Sequence, residues 1–214
     1  MDQRSQSLQE FVDACFAAYQ EFAPPAEGHR SISQIFSLLD QPRDQSERPG
    51  SRLPVCRYLE EALDVETGHS SLDHLIDRFR LIEPLLEWRR RPTYDTSTAS
   101  ENFVNGHANA MILGPGGIED RSDVWLGVTL MAPNVRYPDH SHTPEEVYLV
   151  LSDGEFLQGD RSWFTPGIGG SFYNVPHIRH AMRSGDKPLF AFWALRVPAP
   201  SYQTSALKPA ISSK

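Results

Sequence analysis

Apolar residues in the first part of the chain recur at helical spacing. They fall at intervals of three and four residues, which places them on one face of a helix that ends before Pro24 and Pro25. The residues on this face are Leu8, Phe11, Val12, Cys15, Phe16, Tyr19 and Phe22. The pattern therefore predicts one long amphipathic helix at the start of the chain.

Shorter segments with the same period follow this helix. They cover residues 32–39, 53–65 and 71–88, and Pro84 should bend or end the last of them because proline lacks the backbone N–H. Residues 41–51 are rich in Asp, Arg, Pro and Gly and are typical of an exposed loop. We therefore expect residues 1–92 to form a helical region that packs on the rest of the protein or on a partner chain, as in a homodimer.

The pattern changes to short apolar runs near residue 95. The runs at 108–113, 124–131, 147–151 and 189–197 are separated by glycine- and proline-containing turns, which is the spacing of a β-sandwich or barrel. A closed antiparallel barrel has no free sheet edges and can hold one ligand inside. The predicted fold is thus an all-β core with a helical extension: a small antiparallel β-barrel at 93–200, preceded by N-terminal α-helices and followed by a tail at 201–214.

Composition excludes several classes of protein. A net charge of −8 with no long basic run argues against binding to nucleic acid or to an anionic membrane surface. The most apolar stretch, residues 188–195, is too short to span a bilayer, and the polar start lacks a signal-peptide core, so we expect a cytoplasmic protein. Cys15 and Cys56 are the only cysteines, and reduced, structural thiols are the favoured interpretation.

Candidate metal ligands concentrate between residues 137 and 180. His140, His142 and Glu146 form the pattern HxHxxxE immediately before an apolar strand. Histidines at i and i+2 of an extended segment point to one side, and the carboxylate can return to that side after the bend at Thr143-Pro144. A set of solvated loop histidines is the alternative.

A later histidine can complete the ligand set from across the barrel. His180 is favoured over His177, because it lies four residues after Pro176, where a strand can carry it inward. Three imidazole nitrogens and one carboxylate oxygen suit one divalent transition metal, with zinc, iron and manganese as the leading candidates and cobalt or nickel also compatible.

These residues resemble the cupin family. The first cupin motif ends in HxHxxxE, and the second is matched by Gly170, Pro176 and His180. Ile178 and Ser184 replace the glycine and asparagine usual in the second motif, and the first motif is one residue longer than usual up to Gly154. Those departures affect turns rather than ligands.

A closer resemblance is to the bacterial cupin-type dimethylsulfoniopropionate lyases. It is carried by PEEVY after the two histidines, with Tyr137 upstream and Tyr148 two residues after Glu146. The resemblance implies a carbon–sulfur lyase that converts a small sulfonium carboxylate to dimethyl sulfide and acrylate. It also implies that Tyr148 removes the proton next to the carboxylate to start a β-elimination.

The strand spacing gives a direct argument for Tyr148 but not for Tyr137. Glu146 and Tyr148 are two residues apart on a strand and share a face, so the phenol should lie beside the metal, which can stabilise a phenolate. Tyr148 could instead be a core aromatic. Tyr137 is a second catalytic candidate, as a polar contact or auxiliary base, or else a wall residue.

Three functional hypotheses remain open from the sequence. Besides the lyase, an iron cupin dioxygenase or a sugar isomerase would use the same ligands, and a non-catalytic cupin would bind a small ligand. Aromatic faces could receive a sulfonium cation, but the sequence does not decide which aromatics face the cavity. The candidates are Trp125, Trp163, Phe172, Tyr173 and Trp193.

Overall fold

A computed structural model describes residues 4–46 and 48–198 of the chain. The tail predicted at 201–214 lies outside the described residues. The α-helices are α1 (Gln6–Phe22), α2 (Glu27–Leu39), α3 (Leu59–Leu63), α4 (Ser70–Ile82) and α5 (Phe103–Gly106), with 3₁₀ turns at Pro54–Tyr58 and Glu83–Leu85. None of the helices in the described ranges combines the length and apolar character needed to cross a membrane.

The β-strands form two antiparallel sheets. They are β1 (Trp88–Arg89), β2 (His107–Leu113), β3 (Val124–Met131), β4 (Arg136–His140), β5 (Glu145–Val150), β6 (Glu155–Gln158), β7 (Ser171–Asn174), β8 (His180–Arg183) and β9 (Leu189–Arg196). The larger sheet has the order β1-β2-β3-β9-β5-β7, and the smaller has the order β4-β8-β6. Hydrogen-bonded ladders in the described part of the chain thus give two facing sheets rather than one continuous ring.

The end of the N-terminal region differs from the expectation. Helical spacing continues to residue 88, with Pro84 expected to bend or end the helix; in the structure α4 ends at Ile82 and a 3₁₀ turn containing Pro84 follows. Trp88 and Arg89 then pair with Ala110 and Asn109 as the edge strand β1. Pro84 thus follows the end of the helix as expected, whereas the strand at residues 88–89 was not predicted; the proline removes a backbone donor and the chain turns into the sheet.

Two apolar clusters fill the interior. The first joins the N-terminal helices to the outer face of the larger sheet, where Phe11 and Phe79 pack against Phe192. The second lies between the sheets and includes Tyr148 and Met182. The helical region therefore packs on the β core of its own chain. Cys15 and Cys56 are free and buried, in agreement with a structural role.

Strand β5 shows how the two clusters divide the side chains. All six of its residues are buried, because helices cover one face of the sheet and the smaller sheet covers the other. Val147 and Leu149 belong to the outer cluster, whereas Tyr148 and Val150 belong to the inner one. The two-residue period of the strand thus places Glu146 and Tyr148 on the inner face.

A buried ionic network fastens the start of the chain to the sheet. Arg4 Nε donates to Glu119 Oε2 at 2.6 Å, and Arg121 Nη1 donates to Glu119 Oε1 at 2.7 Å. Arg4 and Arg121 also donate to the backbone carbonyls of Leu39 and Leu38 at the end of α2. Glu119 is fully buried, and the two guanidinium groups are almost inaccessible to solvent. The carboxylate therefore compensates two buried positive charges.

Removal of this carboxylate should destabilise the fold. We expect Glu119→Ala to lower the free energy of unfolding by about 3 kcal/mol, since buried Arg4 would lose its carboxylate partner and Arg121 would keep only Asp123. The matched control is Glu60→Ala, which removes a solvent-exposed partner of Arg80 at 3.5 Å and should cost less than about 1 kcal/mol. Urea denaturation of the three proteins measures both effects, and equal losses would contradict the assignment.

Candidate active site

A cavity of about 340 Å³ opens between the two sheets. Its wall includes His140, His142 and Glu146 together with Tyr137 and Tyr148. Three of the four candidate ligands and both candidate tyrosines predicted from the sequence therefore line the same cavity. The cavity is mostly apolar, with polar groups concentrated near the histidines, as is common for sites that bind small molecules.

Three of the four predicted ligands converge on one point. His142 Nε2 and His180 Nε2 each lie 3.3 Å from Glu146 Oε2. Their donor atoms all lie within 4.8 Å of one another, which is close enough for the three side chains to hold one metal ion. The two Nε2 atoms are buried and have no hydrogen-bond partner among the described residues. A bound ion would satisfy both, so the residues present fit a metal.

Backbone carbonyls orient the imidazole rings. The Nδ1 atoms of His140, His142 and His180 lie 2.9 Å from the carbonyl oxygens of Pro138, Pro144 and Ile178, respectively. With the proton on Nδ1, each ring donates to its carbonyl and presents an unprotonated Nε2. A bond of this kind at the far nitrogen is the usual support for a metal-binding histidine.

Burial and neighbouring charges shift the pKa values of the three converging residues in different directions. Burial raises the pKa of Glu146, but the interaction with His142 and the charges nearby outweigh it, so the pKa lies below its ordinary value. Burial lowers the pKa of His180. Burial would also lower the pKa of His142, but the Glu146 carboxylate outweighs it and raises this pKa. A carboxylate beside neutral imidazoles is the form that binds metal ions.

His140 lies beside the three converging residues, but it does not belong to the group whose donor atoms all lie within 4.8 Å of one another. Its ring centroid is 4.0 Å from that of His180 and 6.3 Å from that of His142. Burial lowers the pKa of His140 well below its ordinary value. His140 as the fourth ligand stays a prediction. His177, the alternative to His180, is exposed and contributes only its backbone N–H, which donates to the His142 carbonyl.

The carboxylate of Glu146 has support that the sequence did not reveal. Asn174 Nδ2, from the neighbouring strand β7, donates to Glu146 Oε2 at 2.9 Å. Gln158 Nε2, from the facing sheet, donates to Asn174 Oδ1 at 2.7 Å. Both amides are buried, so these two successive hydrogen bonds fix the carboxylate through groups with few other partners. Only the strand pairing, in which Glu146 lies opposite Asn174, could have indicated the contact.

Tyr148 extends from the same face of β5 as Glu146. It is 3% exposed, its ring stacks on Phe172 at a centroid distance of 5.0 Å, and it lies 6.4 Å from the His180 ring. Burial and then the negative charge of Glu146 raise the pKa of Tyr148 well above 10. Ionisation of this phenol near neutral pH therefore needs added positive charge beside it.

Tyr137 is held by a chain of hydrogen bonds across the inner face of the larger sheet. Trp193 Nε1 donates to Thr129 Oγ1 at 3.1 Å, and Thr129 Oγ1 donates to Asn109 Oδ1 at 2.7 Å. Asn109 Nδ2 then donates to Tyr137 Oη at 3.0 Å. An indole N–H can only donate, and this sets the direction of the chain. Tyr137 Oη thus accepts, and its own proton is available to the cavity.

The structure separates the five aromatic candidates. Trp125 and Trp193 line the cavity. Phe172 stacks on Tyr148 inside the inner cluster, and Tyr173 donates to Glu145 at 2.6 Å on the outer face. Trp163 lies against the guanidinium of Arg183 at 4.3 Å, so this tryptophan already has a cation on its face. Two of the five therefore line the cavity.

Fold and site together define a cupin-type protein with a His-Glu-His cluster inside its two sheets. Comparison with known proteins then specifies the family. Residues 27–191 match the family model described as dimethylsulfoniopropionate lyase, and the chain belongs to this family. The predicted family, the fold class and the assignment to the lyases are confirmed. Among the three hypotheses left open by the sequence, family membership favours the lyase.

Individual relatives agree with this membership. The dimethylsulfoniopropionate lyase DddQ of Ruegeria pomeroyi is 27% identical over 141 residues, which cover 65% of this chain and 68% of that protein. The putative dimethylsulfoniopropionate lyase DddL of Cereibacter sphaeroides is 28% identical over 142 residues, which cover 66% of this chain and 58% of that protein.

Solved structures show the same fold. The crystal structure of DddQ from Ruegeria pomeroyi matches with a TM-score of 0.71 and 23% identity, over 92% of this chain and 95% of that one. A structure from a study of the dimethylsulfoniopropionate lyases RdDddP and RnDddQII matches with a TM-score of 0.65 and 21% identity, over 89% and 92% of the two chains.

Replacement of a converging histidine should reduce metal binding. We expect His180→Ala to lower the metal bound per chain at least about tenfold, since one of three converging donors is lost. His177→Ala is the matched control: it removes an exposed imidazole three residues away and should leave the metal content unchanged. Elemental analysis after loading with zinc or manganese and desalting measures both. Equal metal content in the two variants would remove His180 from the ligand set.

Proposed function

We propose that this protein cleaves dimethylsulfoniopropionate to dimethyl sulfide and acrylate by a metal-dependent β-elimination in which Tyr148 is the base. The observation that carries the proposal is the placement of Tyr148 and Tyr137 in one cavity with the His-Glu-His cluster. Membership of the dimethylsulfoniopropionate lyase family supports the choice of substrate.

The proposed ligands of the metal are His140, His142, Glu146 and His180. Nitrogen and oxygen donors of this kind suit one divalent transition metal such as zinc, iron or manganese. When bound, such an ion would supply Lewis-acid chemistry, by withdrawing electrons from a substrate carboxylate and stabilising negative charge on a nearby phenol.

The chemical step requires a base on the carbon next to the carboxylate. Tyr148, as phenolate, removes one proton from this carbon. The electron pair of the broken C–H bond forms the carbon–carbon double bond, and the electrons of the bond between the β carbon and sulfur leave with the sulfur. The products are acrylate, neutral dimethyl sulfide and a protonated Tyr148, which returns its proton to solvent. The leaving group is neutral and needs no acid catalyst.

Other side chains of the cavity position the substrate. The proton on Tyr137 Oη is free to be donated to a substrate oxygen, because Asn109 occupies an acceptor position of this hydroxyl. Trp125 and Trp193 present aromatic faces, which attract a sulfonium cation by their quadrupoles. The apolar remainder of the wall excludes water, which strengthens these electrostatic contacts.

Replacement of the proposed base should abolish turnover without loss of metal. We expect Tyr148→Phe to reduce kcat at least about 100-fold, the lower range of a general base contribution, with metal content unchanged. Headspace gas chromatography of dimethyl sulfide measures the rate.

Tyr173→Phe is the matched control. This tyrosine lies on the adjacent strand, but its hydroxyl donates to Glu145 on the outer face, away from the cavity. Its activity should stay within about twofold of the unmodified protein, because the bond it loses contributes to stability rather than to the reaction. Full activity in Tyr148→Phe would contradict the assigned base, and an unmodified, metal-loaded protein that releases no dimethyl sulfide would contradict the proposed substrate.

A further inference from the structure

Three consecutive arginines line the cavity from the end of β1 and the segment that follows it. Arg89 donates to Glu87 at 2.5 Å, so its charge is compensated. Arg90 is exposed and donates to Asn105 at 3.0 Å. Arg91 is half-buried, and among residues 4–46 and 48–198 no carboxylate pairs with it. The cavity wall therefore carries one partly desolvated cation without a counter-charge.

Arg91 is held in place by neighbours that leave its charge free. Its Nε donates to the carbonyl of Thr93 at 3.0 Å, and its guanidinium carbon lies 5.8 Å from the centroid of the Tyr137 ring. Its backbone N–H donates to Nε2 of the buried His107 at 2.9 Å. These contacts fix the segment, and none of them neutralises the guanidinium. A positioned guanidinium of this kind matches the planar oxygens of a carboxylate.

We propose that Arg91 binds the carboxylate of the substrate and makes the site selective for carboxylates. The inference rests on the proposed function, since it concerns the same cavity. Arg91 and Tyr137 line the same wall, so the two side chains offer a charged and a neutral donor to one anionic group. A carboxylate has about four lone-pair positions, which leaves an oxygen free for other partners in the cavity.

The same charge sets the direction in which a zwitterion enters. A sulfonium beside Arg91 would meet a like charge in a partly desolvated wall, which is unfavourable. The aromatic faces of Trp125 and Trp193 carry no positive charge and suit the cation. The carboxylate end therefore lies toward Arg91, and the sulfonium end lies toward the tryptophans.

Variants of Arg91 test this role through substrate binding. We expect Arg91→Gln to raise KM for dimethylsulfoniopropionate by about 10- to 100-fold, the loss of a charge-assisted contact. Arg91→Lys should give a smaller increase, because it keeps the charge but not the fork. Arg57→Gln is the matched control: this exposed arginine lies outside the cavity wall, and its loss should change KM by less than about twofold. Melting temperature and metal content of all variants should equal those of the unmodified protein.

A binding measurement separates this inference from the proposed function. Propionate and its neutral isostere propionamide are titrated into metal-loaded protein by ligand-detected NMR, which needs no turnover. Propionate should bind the unmodified protein more tightly than propionamide, and Arg91→Gln should weaken propionate alone. Equal losses for both ligands, or unchanged propionate binding, would overturn the role of Arg91. Absence of dimethyl sulfide with this pattern intact would overturn the substrate and leave the carboxylate site standing.

Discussion

A single buried carboxylate organises the cavity. Glu146 is 3% exposed and would be costly in an apolar interior without partners. Its partners come from three directions: His142 from its own segment, Asn174 from the neighbouring strand and His180 from the facing sheet. The two sheets therefore meet at this carboxylate. A cation at the same point would complete the compensation, because two imidazole nitrogens there have no other partner among the described residues.

The N-terminal helices make this arrangement possible from the opposite side of the sheet. Glu145, adjacent to Glu146, points outward and accepts from Ser31 on α2, from Arg196 and from Tyr173. Tyr19 on α1 donates to the Val147 carbonyl at 3.2 Å. Because side chains alternate along a strand, fixing the outward residues also fixes the inward ones. The helices thus determine the register that directs Glu146 and Tyr148 into the cavity.

The sequence predicted those parts of the site that depend on local spacing. The interval between Glu146 and Tyr148 is a property of one strand, and both side chains share its inner face. Within HxHxxxE, His142 and Glu146 converge with His180, whereas His140 lies beside them and stays a predicted ligand. Asn109, Asn174 and Gln158 could not be predicted, because each is an ordinary residue brought to the site by pairing between distant strands.

One contact at Trp193 shows why tertiary pairing decides such cases. Gly127 lies opposite Trp193, and a Cβ at this glycine would be 2.3 Å from the indole ring. The ring can therefore lie against the backbone of β3, where its N–H reaches Thr129. Neither Gly127 nor Trp193, taken alone in the sequence, indicates this contact.

The distribution of charge in the cavity connects the fold to the proposed chemistry. Two carboxylates of the described residues line the wall: Glu87 is paired with Arg89, and Glu146 is shared by imidazoles, so neither is free to hold a sulfonium as an ion pair. Such a pair would stabilise the cation, whereas β-elimination removes its positive charge as neutral dimethyl sulfide departs. Aromatic faces hold the cation more weakly than a desolvated carboxylate would. A cavity lined by two tryptophans and by an arginine that has no carboxylate partner among the described residues therefore suits the zwitterion without opposing the loss of its cation.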